Sequence, residues 1–263
     1  MKRSTRFRTI LALFALAPLA ALARHDDVEV RIVSTSGTPL RTFPVESGSR
    51  DVRRLYLEAR DQVAYVIRVR NRSNDRVGVV IAVDGRNIIS GQRSELARGE
   101  RMYVLDPWES AQYEGWRTGR DRVNAFYFTE WRDSYAEAFG DRSARGVIAL
   151  AVYREKEQAI AEGAWERNAG KRGAQSGKKG SADVRSKGAE PGTGFGEEVY
   201  SPSVRVAFDA ERHPSSRVFI KYEWRDSLCR RGVLECRPGW RDRNRFWDDS
   251  EVSGFAPYPP NRR

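Results

Sequence analysis

The chain has 263 residues, with 47 Lys or Arg against 36 Asp or Glu and a formal charge of +11. That length suffices for a sizeable core in one large domain or two small ones. Two Cys and two His in the whole chain leave too few side chains for a Cys-rich or multi-His metal centre or a His-based triad, so no cofactor and no metal are expected.

Residues 1–8 carry Lys2, Arg3, Arg6 and Arg8 without an acid. An apolar run from Ile10 to Leu22 follows and ends in Ala21, Leu22, Ala23, the order of a signal peptide cleaved after Ala23. The run is shorter than the ~20 residues needed to cross hydrocarbon. No Cys follows it and no Arg pair precedes it, so general export of a chain with no membrane span is expected, to the periplasm or beyond. Removing four positive charges leaves 43 against 36, a mature charge of +7. Forty of the 47 basic residues are Arg. Base composition explains such a skew, and so does a guanidinium-based preference for anionic polymers.

Val28, Val30 and Ile32 alternate with Glu29 and Arg31, the pattern of a half-buried strand. Tyr65, Ile67 and Val69 alternate likewise, the cluster Asn71–Asp75 turns the chain, and Val77–Val83 is apolar on both faces. The two runs flanking the turn read as a β-hairpin, the second a central strand. Asp84-Gly85 and Arg98-Gly99 are further turns, and Met102–Leu105 and Val123–Thr129 further strands. Asp133–Phe139 reads as a short helix closed by Gly140, and Gly146–Tyr153 as another mid-sheet strand. Glu155–Arg167 extends as a helix interrupted by Gly163.

From Asn168 to Phe195, seven of 28 residues are Gly and six are Lys or Arg, so this stretch cannot offset its ordering entropy and is expected to be disordered. Val204, Val206 and Phe208, then Val218, Ile220, Tyr222 and Trp224, read as a second hairpin, which must dock on the first sheet's edge because two strands alone are marginal. Cys229 and Cys236, with Gly232 between them, are expected to form a disulfide across a tight hairpin. The organisation predicted is a signal peptide (1–23), a β-sandwich domain (24–160), a Gly/Lys-rich linker (161–199), a β-hairpin completing the same domain (200–240) and a Pro-rich extended tail (241–263). The fold class is mainly β: an antiparallel sandwich, jelly-roll or Ig-like, with one or two short helices and a disordered basic insertion.

Chemistry is sparse along this frame. Asp84, Arg86 and Asn87 form a polar loop after a buried strand, a place where binding residues sit, although Asp and Asn there also serve turn geometry. Trp108, Tyr113, Trp116, Tyr127 and Trp131 fall among Arg117, Arg120, Arg122 and Arg132. Rings beside guanidiniums suit a sugar or a base, and such rings equally suit a sandwich core. Trp116 and Arg117 join the loop residues as the candidate ligand site. Asp84, Glu109, Glu114, Asp121, Glu130 and Asp133 are the acids to weigh for a glycosidase pair, which needs two carboxyls about 5 to 10 Å apart.

The segment VVIAVDGRNIISG, with YEGWRT and VNAFYFT downstream and GVIALAVY beyond, resembles a family of uncharacterised exported bacterial proteins over roughly residues 66–155, with KYEWRDSLC as a further segment. The resemblance implies export and a shared β fold and carries no site residues. The reading that emerges is an exported non-enzymatic envelope module that binds or scaffolds a partner such as an anionic glycan or another envelope component, nucleic acid being disfavoured. The alternatives are a glycan-cleaving enzyme with a carboxylate pair and an Arg-mediated binder of anionic polymers.

Overall fold

The computed structural model describes residues 27–49, 51–156 and 190–236. The expected signal peptide, His25, the helix expected to reach Arg167, most of the expected linker and the Pro-rich tail lie outside the described residues. In chain order the elements are β1 (Val28–Ser34), β2 (Thr42–Val45), β3 (Val52–Ala59), β4 (Ala64–Asn71), β5 (Val77–Val83), β6 (Arg86–Asn87), β7 (Tyr103–Leu105), β8 (Ser110–Tyr113), β9 (Gly115–Arg117) and β10 (Arg122–Glu130). There follow α1 (Tyr135–Ala138), β11 (Val147–Arg154), β12 (Pro191–Thr193), β13 (Glu198–Tyr200), β14 (Ser216–Trp224) and α2 (Arg225–Arg230). The protein is mainly β, as its alternating patterns require. No described helix is long and apolar enough to cross a membrane.

The strands form two seven-stranded sheets. One runs β1-β4-β10-β12, with β8 beside β4 and both β9 and β13 beside β10. The other runs β2-β3-β14-β11-β5-β6, with β7 on β5. Period-two alternation sends Ile32, Ile67, Phe126 and Phe128 of the first sheet, and Leu57, Ile81, Leu150 and Ile220 of the second, into one continuous core. β5 and β11 are apolar on both faces because a second cluster covers their outer side. There Leu96, Met102 and Phe208 pack on Val80, Ala151 and Tyr153.

Several local expectations change in this frame. β4 and β5 form no hairpin; they belong to different sheets, and the Asn71–Asp75 cluster is a corner between layers. Buried Asn71 holds that corner by donating to the carbonyls of Asp75 (2.8 Å) and Asp106 (2.9 Å) and accepting from Ser73 N–H (2.9 Å). Asx chemistry serves a corner as well as a hairpin, so burial of both runs decided the outcome. The second hairpin is also absent. Residues 201–209 form no strand and Val204 is 87% exposed, while β14 pairs with β11 antiparallel and with β3 in parallel over eight residues. A parallel neighbour needs a long connection, and β3 and β14 are far apart in the chain. The expected disordered linker is overturned at its end, where Pro191–Thr193 is a buried strand on β10 and Glu198–Tyr200 a largely exposed one on the same strand. The Cys229–Cys236 disulfide is present, tying the last turn of α2 to the segment after it rather than spanning a hairpin.

β14 lies between β3 and β11, so a chain ending at Arg167 would leave two interior sheet edges unpaired and remove Val218, Ile220 and Tyr222 from the core, about 2 kcal/mol of burial each. Such a chain is expected to lose its cooperative denaturant transition and to bind an apolar dye. A sharp transition matching that of the longer chain would contradict this topology.

Candidate functional site

The turn between β5 and β6 places Asp84 and Gly85, both at positive φ (50° and 83°), between the paired residues Val83 and Arg86. This two-residue loop has the positive φ values of a type I′ turn, for which Asp-Gly is a preferred dipeptide. The turn points the Asp84 side chain inward, where it is fully buried. Its carboxylate accepts from Gly146 N–H (2.8 Å), Thr193 N–H (2.8 Å) and the Tyr222 hydroxyl (2.6 Å). Thr193 Oγ1 lies 2.8 Å from the hydroxyls of both Tyr222 and Tyr65. Tyr65 and Thr193 belong to the first sheet and Tyr222 to the second, so this polar chain bridges the two layers. Burial pushes the Asp84 carboxyl up to about 6 against the opposing pull of its three donors. Burial likewise raises the Tyr65 and Tyr222 phenols well above their usual range, keeping both as neutral donors.

The same corner gathers the other residues singled out in the sequence. Arg117 N–H donates to Ile88 O (2.8 Å), tying β9 to the turn after β6. Asn87 is buried and occupied, donating to Arg101 O (2.8 Å) and accepting from Ile89 N–H (2.9 Å). Arg117 donates to the Tyr103 hydroxyl (2.8 Å) and Ser201 O (2.9 Å). Trp116 is buried, and its indole N–H donates to Gly194 O (3.0 Å). Asp84, Asn87 and Trp116 are buried and, like the half-buried Arg117, bonded within the framework: a loop after a buried strand faces inward when its polar groups find partners there. Arg86 donates to Gly91 O (2.6 Å), lies 4.3 Å over the Phe139 ring and stands 3.8 Å from Asp141, its side chain 13% exposed.

What this frame presents outward is an aromatic shelf. Tyr135, on α1, stacks on Trp116 (4.2 Å between ring centroids) on one side and on Phe195 (5.5 Å) on the other. Phe139 meets it edge-on at 4.9 Å. Phe139 is 57% and Phe195 44% exposed. Ser134 starts α1, its hydroxyl accepting from Glu137 N–H. Glu137 is held ionised by Arg142 and accepts the Trp131 indole N–H (2.7 Å). β12 docks tightly beneath, since a Cβ on Gly192 would lie 2.5 Å from the Ser134 Cβ. Tyr135 and Phe139 stand at i and i+4, a spacing that pairs side chains on one helix face, so DSYAEAF carried a legible signal. Phe195 carried none, sitting in a Gly-rich run.

The remaining candidates are placed less suggestively. Tyr113 and Trp131 are buried, Trp108 is exposed and donates to Asn74 Oδ1 (3.1 Å), and His213 is exposed. Of the acids, Asp84 is sealed in the core, Glu109 accepts Asp106 N–H (2.7 Å), Asp121 lies 3.6 Å from Arg122, and Glu130 and Asp133 are exposed. Among the described residues no group of three or more His, Cys, Asp and Glu is arranged to hold a metal. Comparison with protein-family models, curated proteins and solved structures finds no match for the chain.

The Asp84 carboxyl is protonated more readily in the folded chain than in the unfolded one, so folding takes up a proton between about pH 4 and pH 6. Its contribution to stability is therefore greatest below pH 4 and falls by about 3 kcal/mol as pH rises through 6. D84N is expected to abolish that fall in urea titrations across this range. It should also destabilise the fold at every pH, because an amide N–H₂ would meet a donor it cannot accept from. D84A should cost about 3 kcal/mol or more through three stranded donors.

Proposed function

We propose that this chain is an exported, non-enzymatic module of the bacterial envelope that holds a glycan on the shelf formed by Tyr135, Phe139 and Phe195. The observation that carries the reading is the set of half-exposed rings mounted on a rigid, internally bonded corner. Rigid aromatic faces supply contact area at little entropic cost, and exposed apolar patches mark binding surfaces. Arg86, mostly buried and beside Asp141, lies against the Phe139 ring and helps to hold it in place. Export is supported by the signal-like first 23 residues and by the disulfide, a bond that persists in oxidising compartments.

The rival reading, glycan cleavage by a carboxylate pair, requires an acid poised in a cleft. The carboxyl that burial holds near neutrality, Asp84, is instead spent on three core hydrogen bonds.

The test is retention of the chain beginning at Arg24 on insoluble peptidoglycan, on immobilised lipopolysaccharide and on neutral and acidic polysaccharides, alongside DNA. Retention by at least one glycan is expected, weakened about tenfold by F139A or F195A with the thermal transition unchanged, the loss of one good aromatic anchor. Equal retention by both variants, or retention on DNA alone, would remove the shelf from consideration. Release of reducing sugar would instead favour the rival.

A further inference from the structure

Among the described residues, the outer face of the second sheet is covered over only half its width. The segments carrying Leu96, Met102 and Phe208 close it above β5 and the adjoining part of β11, and nothing among the described residues closes it above β2, β3 and β14. Parity and register put two rows of outward side chains there: Phe43, Tyr56, Lys221 and Val147, and beside them Val45, Arg54, Phe219 and Ala149. At about 4.8 Å per strand each row runs about 14 Å across the sheet. The small Ala149 beside Phe219 and the short β2 edge leave a groove of about 310 Å³ lined by Arg54, Tyr56, Phe219 and Lys221.

The exposed charge on this floor is cationic, its two acids Glu58 and Glu223 being buried in ion pairs. Arg54 lies over the Phe219 ring at 5.9 Å and among the described residues has no carboxylate within ion-pair reach. Arg41 lies over Phe43 at 4.8 Å. Lys221 donates to Arg145 O (2.7 Å) and stands 3.7 Å from Glu223, which Arg231 also approaches at 3.4 Å. Glu58, at the far end of β3, is paired with Arg225 at 3.0 Å. Rings alternating with cations along a groove complement a chain of sugar rings whose C–H faces stack on aromatics and whose edges carry carboxylates, the chemistry of an acidic polysaccharide. A polyphosphate offers anions without rings to stack, and this groove gives equal room to both kinds of contact.

We propose that this groove is a binding site for a uronate-bearing glycan strand, its carboxylates meeting Arg54 and Lys221 and its sugar faces lying on Tyr56 and Phe219. The site is separate from the shelf and does not depend on it.

The test titrates the chain beginning at Arg24 with tetragalacturonate, with neutral maltotetraose and with tetrapolyphosphate at several salt concentrations. Tetragalacturonate is expected to bind, with affinity falling as salt rises and at least tenfold tighter than either comparison ligand. R54E, an exposed substitution, should lower that affinity tenfold or more, and Y56A should lower it while leaving the salt slope intact. R54E and Y56A made in an F139A background should produce the same losses, which separates failure here from failure of the shelf. No binding at low salt, binding indifferent to R54E, or tetrapolyphosphate binding as tightly as tetragalacturonate would overturn the proposal.

Discussion

A carboxylate enclosed between two sheets, accepting three hydrogen bonds from three separate stretches of chain, is what the remaining architecture is arranged around. Asp84 joins the start of β11 through Gly146, the late strand β12 through Thr193 and the interior strand β14 through Tyr222. Each bond closes a sequence gap of 62 residues or more. Removing a carboxyl from water is costly, and the cost is offset only when its acceptor sites are filled. Filling them requires β12 and β14 to be in place, so one buried group makes the assembly of distant segments cooperative. The hydroxyl chain through Thr193 to Tyr65 extends that requirement across the layer boundary.

The surfaces left for binding follow from how this scaffold is closed. At one corner, α1 and the chain after β12 converge on Trp116, and Tyr135, pinned between Trp116 and Phe195, holds the shelf rigid. On the flank, the chain spends its covering segments on β5 and β11, whose outer residues Val80, Ala151 and Tyr153 are apolar. The neighbouring strands β3 and β14 alternate cations with rings on their outer face, which water tolerates, and no described segment lies over them. The distribution of Arg and aromatic residues along single strands thus decides which half of a sheet is lidded. Several of the abundant Arg are used internally, Arg117 bracing β9 and Arg76 pairing with Glu155 at 2.9 Å, so composition alone overstates the cationic surface.

Much of the layered architecture was legible because burial of one strand face imposes a period of two. Val28–Ile32 and Tyr65–Val69 carried it, and the two-faced apolar runs Val77–Val83 and Gly146–Tyr153 marked strands covered on both sides. Val204, Val206 and Phe208 carried the same alternation without being a strand, since Phe208 alone found an apolar surface and the others remain outside. The site was less legible. Asp84, Asn87 and Trp116 have side chains suited equally to ligands and to core hydrogen bonds, and nothing local distinguishes a polar loop that faces solvent from one that faces Thr193. Gly192, Thr193 and Gly194 were hidden further by a Gly-rich composition that reads as disorder and here permits close docking.

Local chemistry alone set the strands β1, β4, β5, β7, β10, β11 and β14, the turn at Asp84-Gly85, the half-cystine pair and the short helix at Ser134, because each follows from a few adjacent residues. Which strands became neighbours was decided by tertiary structure: the parallel union of β3 with β14, the separation of β4 from β5, and the return of β12 to seal the carboxylate. Those choices rest on burying faces and satisfying polar groups across gaps of many residues, and such complementarity exists only once the segments have met.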